Sequence, residues 1–284
     1  MVTRRLWLLV LPLAIAAGCT PRVYSPPGRA MPLEAPTPLG EGRTAVQVEG
    51  GVSGMVFGPS FLHGSVRLRH GVSDQLEVDG ELNAVGVLVP ADADWDDDSD
   101  AHRGIYSAHV ALKRNFSRHF ALRFGAGAGV SAGGAFFAPD LGFVAGYDNP
   151  AVIPFVGAYG FVSYPLGPRY VRFVDESSGD EQILRPRTTV GVGWNTGIKV
   201  PFGAAIDLRQ RRAAFLVGIG GTFVQSFGAE ADNDATFGLS LGFDFTLSDR
   251  LGAVRARASR PPSPPVRPTI GVNRAPRAVV PIAA

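Results

Sequence analysis

The stretch ATFGLSLGFDFTL, residues 235–247, places a large apolar side chain at every second position from Phe237: Phe237, Leu239, Leu241, Phe243, Phe245 and Leu247. Between them stand Gly238, Ser240, Gly242, Asp244 and Thr246. A period of two is that of a β-strand, so one face avoids water while the other is small or polar. Nine further segments carry strand character: 46–56, 60–70, 75–89, 104–114, 119–131, 139–147, 152–165, 187–200 and 212–226. The pattern is plain at Val66 and Leu68 against Arg67 and Arg69, and at Leu76, Val78 and Leu82 against Glu77, Asp79 and Glu81. Alternation over about ten residues in nearly every segment predicts a closed antiparallel transmembrane β-barrel. The expected fold is therefore all-β with about ten strands, eight being possible. A soluble sandwich or lipocalin-like barrel is the alternative. The last strand is expected to close the ring against residues 46–56, with Asp244 inside and Phe243 and Phe245 near one rim.

The flanks read differently. Residues 1–18 hold Arg4 and Arg5, then an apolar run from Leu6 to Ala17 that is short for a membrane helix and fits a secretory signal. The single cysteine, Cys19, follows Ala16-Ala17-Gly18. This stretch resembles the lipobox of bacterial lipoproteins, which implies lipid attachment at Cys19. Ordinary cleavage after Ala14-Ile15-Ala16 is the rival, and would leave a free thiol. Thr20 rather than aspartate follows the cysteine, which by the same resemblance implies the outer membrane. Residues 19–42 contain six prolines and no apolar period, so they are expected to be an extended tether outside the folded barrel of 43–250. Residues 251–284 are rich in proline and arginine and are expected to be a disordered tail.

Net charge is +2, but eight of the 27 Lys and Arg residues lie in the leader and the tail, where no acid balances them. The remaining 19 face 25 acids, so the folded part is acidic and a nucleic-acid partner is not expected.

Loop lengths test the barrel independently, because such barrels have short periplasmic turns and longer outer loops. With the first strand running outward, the second, fourth and sixth connections are tight, while the third (90–103), seventh (166–186) and ninth (227–234) are longer. The eighth (201–211) and the short first connection break the rule. An even strand number brings the tail back to the side of the tether, so both termini are expected in the periplasm. The hairpin VRLRHGVSDQLEVDGEL, 66–82, resembles those of bacterial outer-membrane barrel proteins, and implies residence in the outer membrane of a Gram-negative bacterium.

With apolar residues turned to lipid, Arg67 and Arg69 face the lumen beside Glu77, Asp79 and Glu81. In-register pairing is expected to set Arg69 opposite Glu77 and Arg67 opposite Asp79, with His109 and Lys113 flanking the acids from the next strand. Such a network either fills a narrow lumen or forms a selective constriction. Inward glycines, among them Gly125, Gly127, Gly129, Gly191, Gly193, Gly218 and Gly220, leave room for a thin water path or for the arginines.

In the third connection Asp92, Asp94 and Asp96 have the spacing that opens a calcium loop. Asp97 replaces the turn glycine and Arg103 the closing glutamate, so at most a weak calcium site is expected; no other cofactor is. His70, Ser73 and Asp74 have the residue types of a hydrolytic triad, but they are crowded into one turn whose chemistry explains them. His102 beside the aspartates lacks partners. The chain is expected not to be an enzyme, with a barrel hydrolase as third choice. First is an envelope component whose tail docks periplasmic proteins or lipid, and the alternative is a narrow porin-like channel for ions or small solutes.

Overall fold

In the computed structural model the described residues are 24–55, 60–88, 104–175, 180–202, 213–227 and 233–247. They form twelve strands: β1 Thr44–Met55, β2 Ser60–Gly71, β3 Leu76–Leu88, β4 Ile105–Asn115, β5 Phe120–Ser131, β6 Gly134–Gly146, β7 Ile153–Leu166, β8 Val171–Asp175, β9 Asp180–Leu184, β10 Thr189–Phe202, β11 Ala213–Ser226 and β12 Asn233–Leu247. Ten of them close into a barrel in which every strand pairs antiparallel with its neighbour, β7 with β10 across the seventh connection and β12 with β1. Closure is in the expected place, with Val46 opposite Phe245 and Val52 opposite Leu239.

Two elements differ from the sequence expectation. β6 begins at Gly134, five residues before the expected start, so only residues 132 and 133 separate it from β5. Its early part escapes a period count because Pro139 interrupts it. Proline offers no N–H, and the β6–β7 ladder is broken at Ala138 and Pro139 while β5 still pairs there. The seventh connection also carries a two-stranded hairpin, β8–β9.

The alternation sorts side chains as two faces require. Leu82, Val110 and Phe124 are each more than 60% exposed on the outside, and the large residues of β12 are exposed at 43–50%. Arg67, Lys113, Glu77 and Glu81 are almost fully buried inside. A surface this apolar around a charged interior is covered by lipid, not water. Near the rim bearing the short turns, Phe215, Phe243 and Phe245 stack in a row, and Phe120 lies against Phe143. This is an interfacial aromatic band of the kind expected for Phe243 and Phe245.

One rim, here the turn rim, bears connections 72–75, 116–119, 147–152 and the longer 203–212; the other, the loop rim, bears 89–104, 167–188 and 227–232 together with the short 56–59 and 132–133. The described part of the expected tether is not outside this ring. Tyr24 bridges Arg187 beside the start of β10 at the loop rim, and Ser25 donates its N–H to Thr189 Oγ1 and is hydrogen-bonded through its hydroxyl to Ser163 there. Fifteen residues later Leu39 N–H donates to Glu77 near the turn rim, where Gly40 and Gly42, at φ +89° and +72°, reverse the chain into β1. Fully extended, sixteen residues would span roughly 50 Å, and the bend at residues 28–31 uses part of that reach. A tilted strand of the barrel rises roughly 30 Å, so the segment crosses the lumen with slack.

The tether expectation is therefore corrected for residues 24–39. A proline-rich stretch with no apolar period cannot build a core of its own, but it can fill one that the wall supplies. Each of Pro26, Pro27, Pro32, Pro36 and Pro38 also removes an N–H that a dry lumen would have to satisfy. It follows that Tyr24 and Leu247 lie at opposite rims. The expectation that both flanks lie in the periplasm falls on residues 1–23 and 248–284, outside the described residues.

Candidate functional site

The lumen is organised around the β2–β3–β4 ladder. Arg67 stands opposite Glu81 and Arg69 opposite Asp79, two residues away from the expected register. The difference arises in the turn: β2 continues to Gly71, opposite Glu77, because Gly71 also bonds the turn at 40–43, accepting from Gly42 N–H and donating to Arg43 O. Ser73 Oγ then closes the wider loop by accepting from the Gln75 and Leu76 amides. A slip of two keeps every side chain on its face, so all the predicted lumen residues still point inward. On the far side His109 and Lys113 flank the acids, Glu77 lying opposite Lys113 and Glu81 opposite His109.

Wall carboxylates and wall cations are then paired across several strands. Arg67 Nε donates to Glu81 at 2.7 Å and its Nη2 to Glu49 at 3.2 Å. Arg69 and Lys199 both donate to Asp244 on β12, tying the closing strand to β2 and β10. Arg123 Nη2 donates to Asp79 at 2.6 Å, and His109 Nε2 contacts Asp140. Charges removed from water require partners of this quality, since an unpaired one costs several kcal/mol.

Residues 24–39 complete the network. Glu34 accepts from Arg123 Nη1 at 2.6 Å, with Lys113 Nζ 3.7 Å and Arg67 Nη1 3.8 Å away. Arg29 Nη2 donates to Glu81 at 3.0 Å. Wall side chains also satisfy the backbone of the segment. Glu49 accepts from Leu33 N–H, Gln47 donates to Leu33 O, Lys113 to Ala35 O, Ser107 to Gly28 O and Ser163 to Pro26 O. Two inward glycines make room for it: a Cβ on Gly127 would lie 2.6 Å from Gly28 Cα, and one on Gly218 would lie 2.7 Å from Leu33 Cδ2. Leu33 and Ala35 pack with Ile153, Phe155 and Leu216 in a small apolar cluster inside the barrel. The glycines thus accommodate chain rather than a water path here.

Sequence reasoning found Arg67, Arg69, Glu77, Asp79, Glu81, His109, Lys113 and Asp244. It missed Glu49, Arg123, Asp140 and Lys199, although Glu49 and Arg123 share the inward parity of their strands. Arg29 and Glu34 carry no such signal, because nothing periodic marks a strand-free segment. His70, Ser73 and Asp74 form no triad: His70 meets Thr44, Ser73 caps its turn, and Asp74 accepts from Glu41 N–H. His63 and Ser240 are 3.0 Å apart in the lumen, but His63 Nδ1 has no partner to orient the ring. Among the described residues no group of acids, histidines or cysteines is arranged to hold a metal ion. Cys19, the calcium candidates Asp92, Asp94 and Asp96, His102 and the tail 251–284 lie outside the described residues.

No family model and no curated protein matches the sequence. Among solved structures the chain is similar to Neisserial surface protein A, at 11% identity over 73% of this chain and 98% of that one, with a TM-score of 0.31. It is similar to the N-terminal β-barrel domain of Pseudomonas aeruginosa OprF at 14% identity, over 71% and 97% of the two chains, with a TM-score of 0.31. An outer membrane channel from Pseudomonas putida F1 aligns at 13% identity over 80% of this chain and all of that one, with a TM-score of 0.37. Likeness at this level assigns no function.

Proposed function

We propose that this chain is a non-enzymatic Gram-negative outer-membrane β-barrel, an envelope component whose lumen is stopped by its own N-terminal segment. The observation that carries this reading is the passage of residues 24–39 from rim to rim, bonded to the wall along its length. A barrel of ten strands has little interior to spare, and this one fills it with protein. The apolar outer face and the aromatic band support insertion in a bilayer. The deciding experiment is conductance in a planar bilayer. The full chain is silent, and deletion of 24–42 yields steady steps. Steady conductance of the full chain, of the same size as the deletion, rejects the plug and leaves the narrow channel.

Threading sets the two flanks against each other. If short turns mark the periplasmic side, the turn rim is periplasmic, β12 delivers the Arg/Pro-rich tail there, and Tyr24 faces outward. The tail then meets anionic head groups or a periplasmic protein. A lipid on Cys19, five residues before Tyr24, then belongs to the outer face. An epitope inserted at 176–179 should be accessible on intact cells. Accessibility only after the outer membrane is permeabilised reverses the orientation and returns the lipid to the periplasmic side.

A further inference from the structure

Arg29 and Glu34 are not equivalent to the other lumen charges, because they are the two that the plug brings with it. Arg29 lies on Glu81, and Glu34 lies on Arg123 with Lys113 and Arg67 closing round it. All six side chains are at most 4% exposed. Arg29 Nη1 is 3.7 Å from Glu34 Oε2, so the guanidinium and the carboxylate lie side by side with opposite charges matched by opposite halves of the wall. The fit is not saturated: Glu34 Oε1, Arg67 Nη1 and Glu81 Oε1 are buried with no hydrogen-bond partner. The segment forms no strand ladder with the wall beyond the single bridge at Tyr24, so side chains, not backbone pairing, hold it at this level.

We propose that the lumen contains a site for a small zwitterion, with an acidic half at Glu81 and a basic half at Arg123, Lys113 and Arg67, and that Arg29 and Glu34 occupy it as a ligand supplied in cis. The proposal rests on the plug reading above and gives it a ligand class. Removing both plug charges leaves Glu81 held by Arg67 alone, with its Oε1 unpartnered, beside Arg67 Nη1, Lys113 and Arg123 Nη1, which then lack Glu34. A lone anion leaves Glu81 short of the cation that Arg29 supplied, and a lone cation leaves Arg123 and Lys113 short of the carboxylate that Glu34 supplied. A solute carrying a guanidinium or ammonium within about 4 Å of a carboxylate satisfies both halves at once. The class comprises amino acids and their guanidino relatives.

The test uses the full chain with Arg29→Ala and Glu34→Ala, and guanidinoacetate as probe, which has fewer heavy atoms than the two truncations remove. Guanidinoacetate binds the folded barrel and raises its unfolding temperature in detergent by about 2–4 °C. Acetate or guanidinium at the same millimolar concentration raises it by less than half as much, and adding Glu81→Gln abolishes the effect. An equal shift with acetate alone, or no shift with guanidinoacetate, overturns the proposal. If the double variant does not fold, block of the current through the barrel lacking 24–42 is measured with the same three solutes: block by guanidinoacetate at least twice that by either single ion supports the site, and equal or absent block overturns it. The two readings fail separately: conductance of the full chain rejects the plug as a seal, whereas the thermal shift is measured with the segment in place.

Discussion

Arg123 is the most exacting point at which to perturb the lumen. Its guanidinium donates to two carboxylates from different parts of the chain, Glu34 Oε2 and Asp79 Oδ1, each at 2.6 Å. Substitution by alanine leaves Glu34 with cations no nearer than 3.7 Å, and leaves Asp79 without its hydrogen bond. Breaking a buried pair by removing one partner costs about 3–5 kcal/mol, and here two carboxylates are deprived together, so the upper part of that range is expected. The surface pair Arg118–Asp148, at 3.8 Å with Arg118 59% exposed, is the comparator, and Arg118→Ala should cost less than about 0.5 kcal/mol.

The assay is equilibrium urea unfolding in detergent or lipid, with an unchanged denaturant slope required before the midpoints are compared. Because Asp79 alone could explain a large effect, the decisive quantity is the coupling between Arg123→Ala and Glu34→Ala in a double-mutant cycle. Groups in direct buried contact couple by about 0.5–3 kcal/mol, and the value here should lie above about 1.5. Additivity within about 0.5 kcal/mol would refute the placement of residue 34 in the lumen, whatever Arg123→Ala costs by itself.

Two further outcomes are expected. In a Cys19→Ser background, which removes the only native thiol, Ser25→Cys with Ser163→Cys should oxidise to a disulfide, because the two hydroxyls lie 2.8 Å apart; two thiols still alkylated after oxidation, read by mass, would place the segment outside the loop-rim end of the lumen. Leu241→Arg, in the middle of β12 on the outer face, should destabilise the barrel in liposomes by about 2–4 kcal/mol, and a change below about 1 kcal/mol would argue against a lipid-facing surface there.

The period-two pattern was enough to find ten strands, their inward and outward faces and the closing pair, because a strand's faces follow from local alternation and neighbouring strands in such a ring are mostly neighbours in sequence. The same pattern identified the ladder Arg67, Arg69, Glu77, Asp79, Glu81, His109 and Lys113 as interior. It misplaced their partners by two residues, since parity survives an even slip and only the turn at 72–75 and its contact with Gly42 and Arg43 select the register. It shortened β6, where Pro139 breaks a ladder on one side only.

What fills the barrel lay beyond any such pattern. A proline-rich segment that forms no strand or helix has no period to detect, and its composition is the same whether water or a protein wall surrounds it. The tertiary structure decided between these surroundings by matching individual charges and backbone groups: Arg29 to Glu81, Glu34 to Arg123, Leu33 to Glu49 and Gln47, Ala35 to Lys113. In the strand 235–247, sequence alone determined that Asp244 would face inward. That it meets Arg69 and Lys199, in a lumen that residues 24–39 cross, depends on contacts between residues up to 175 positions apart, which local alternation does not encode.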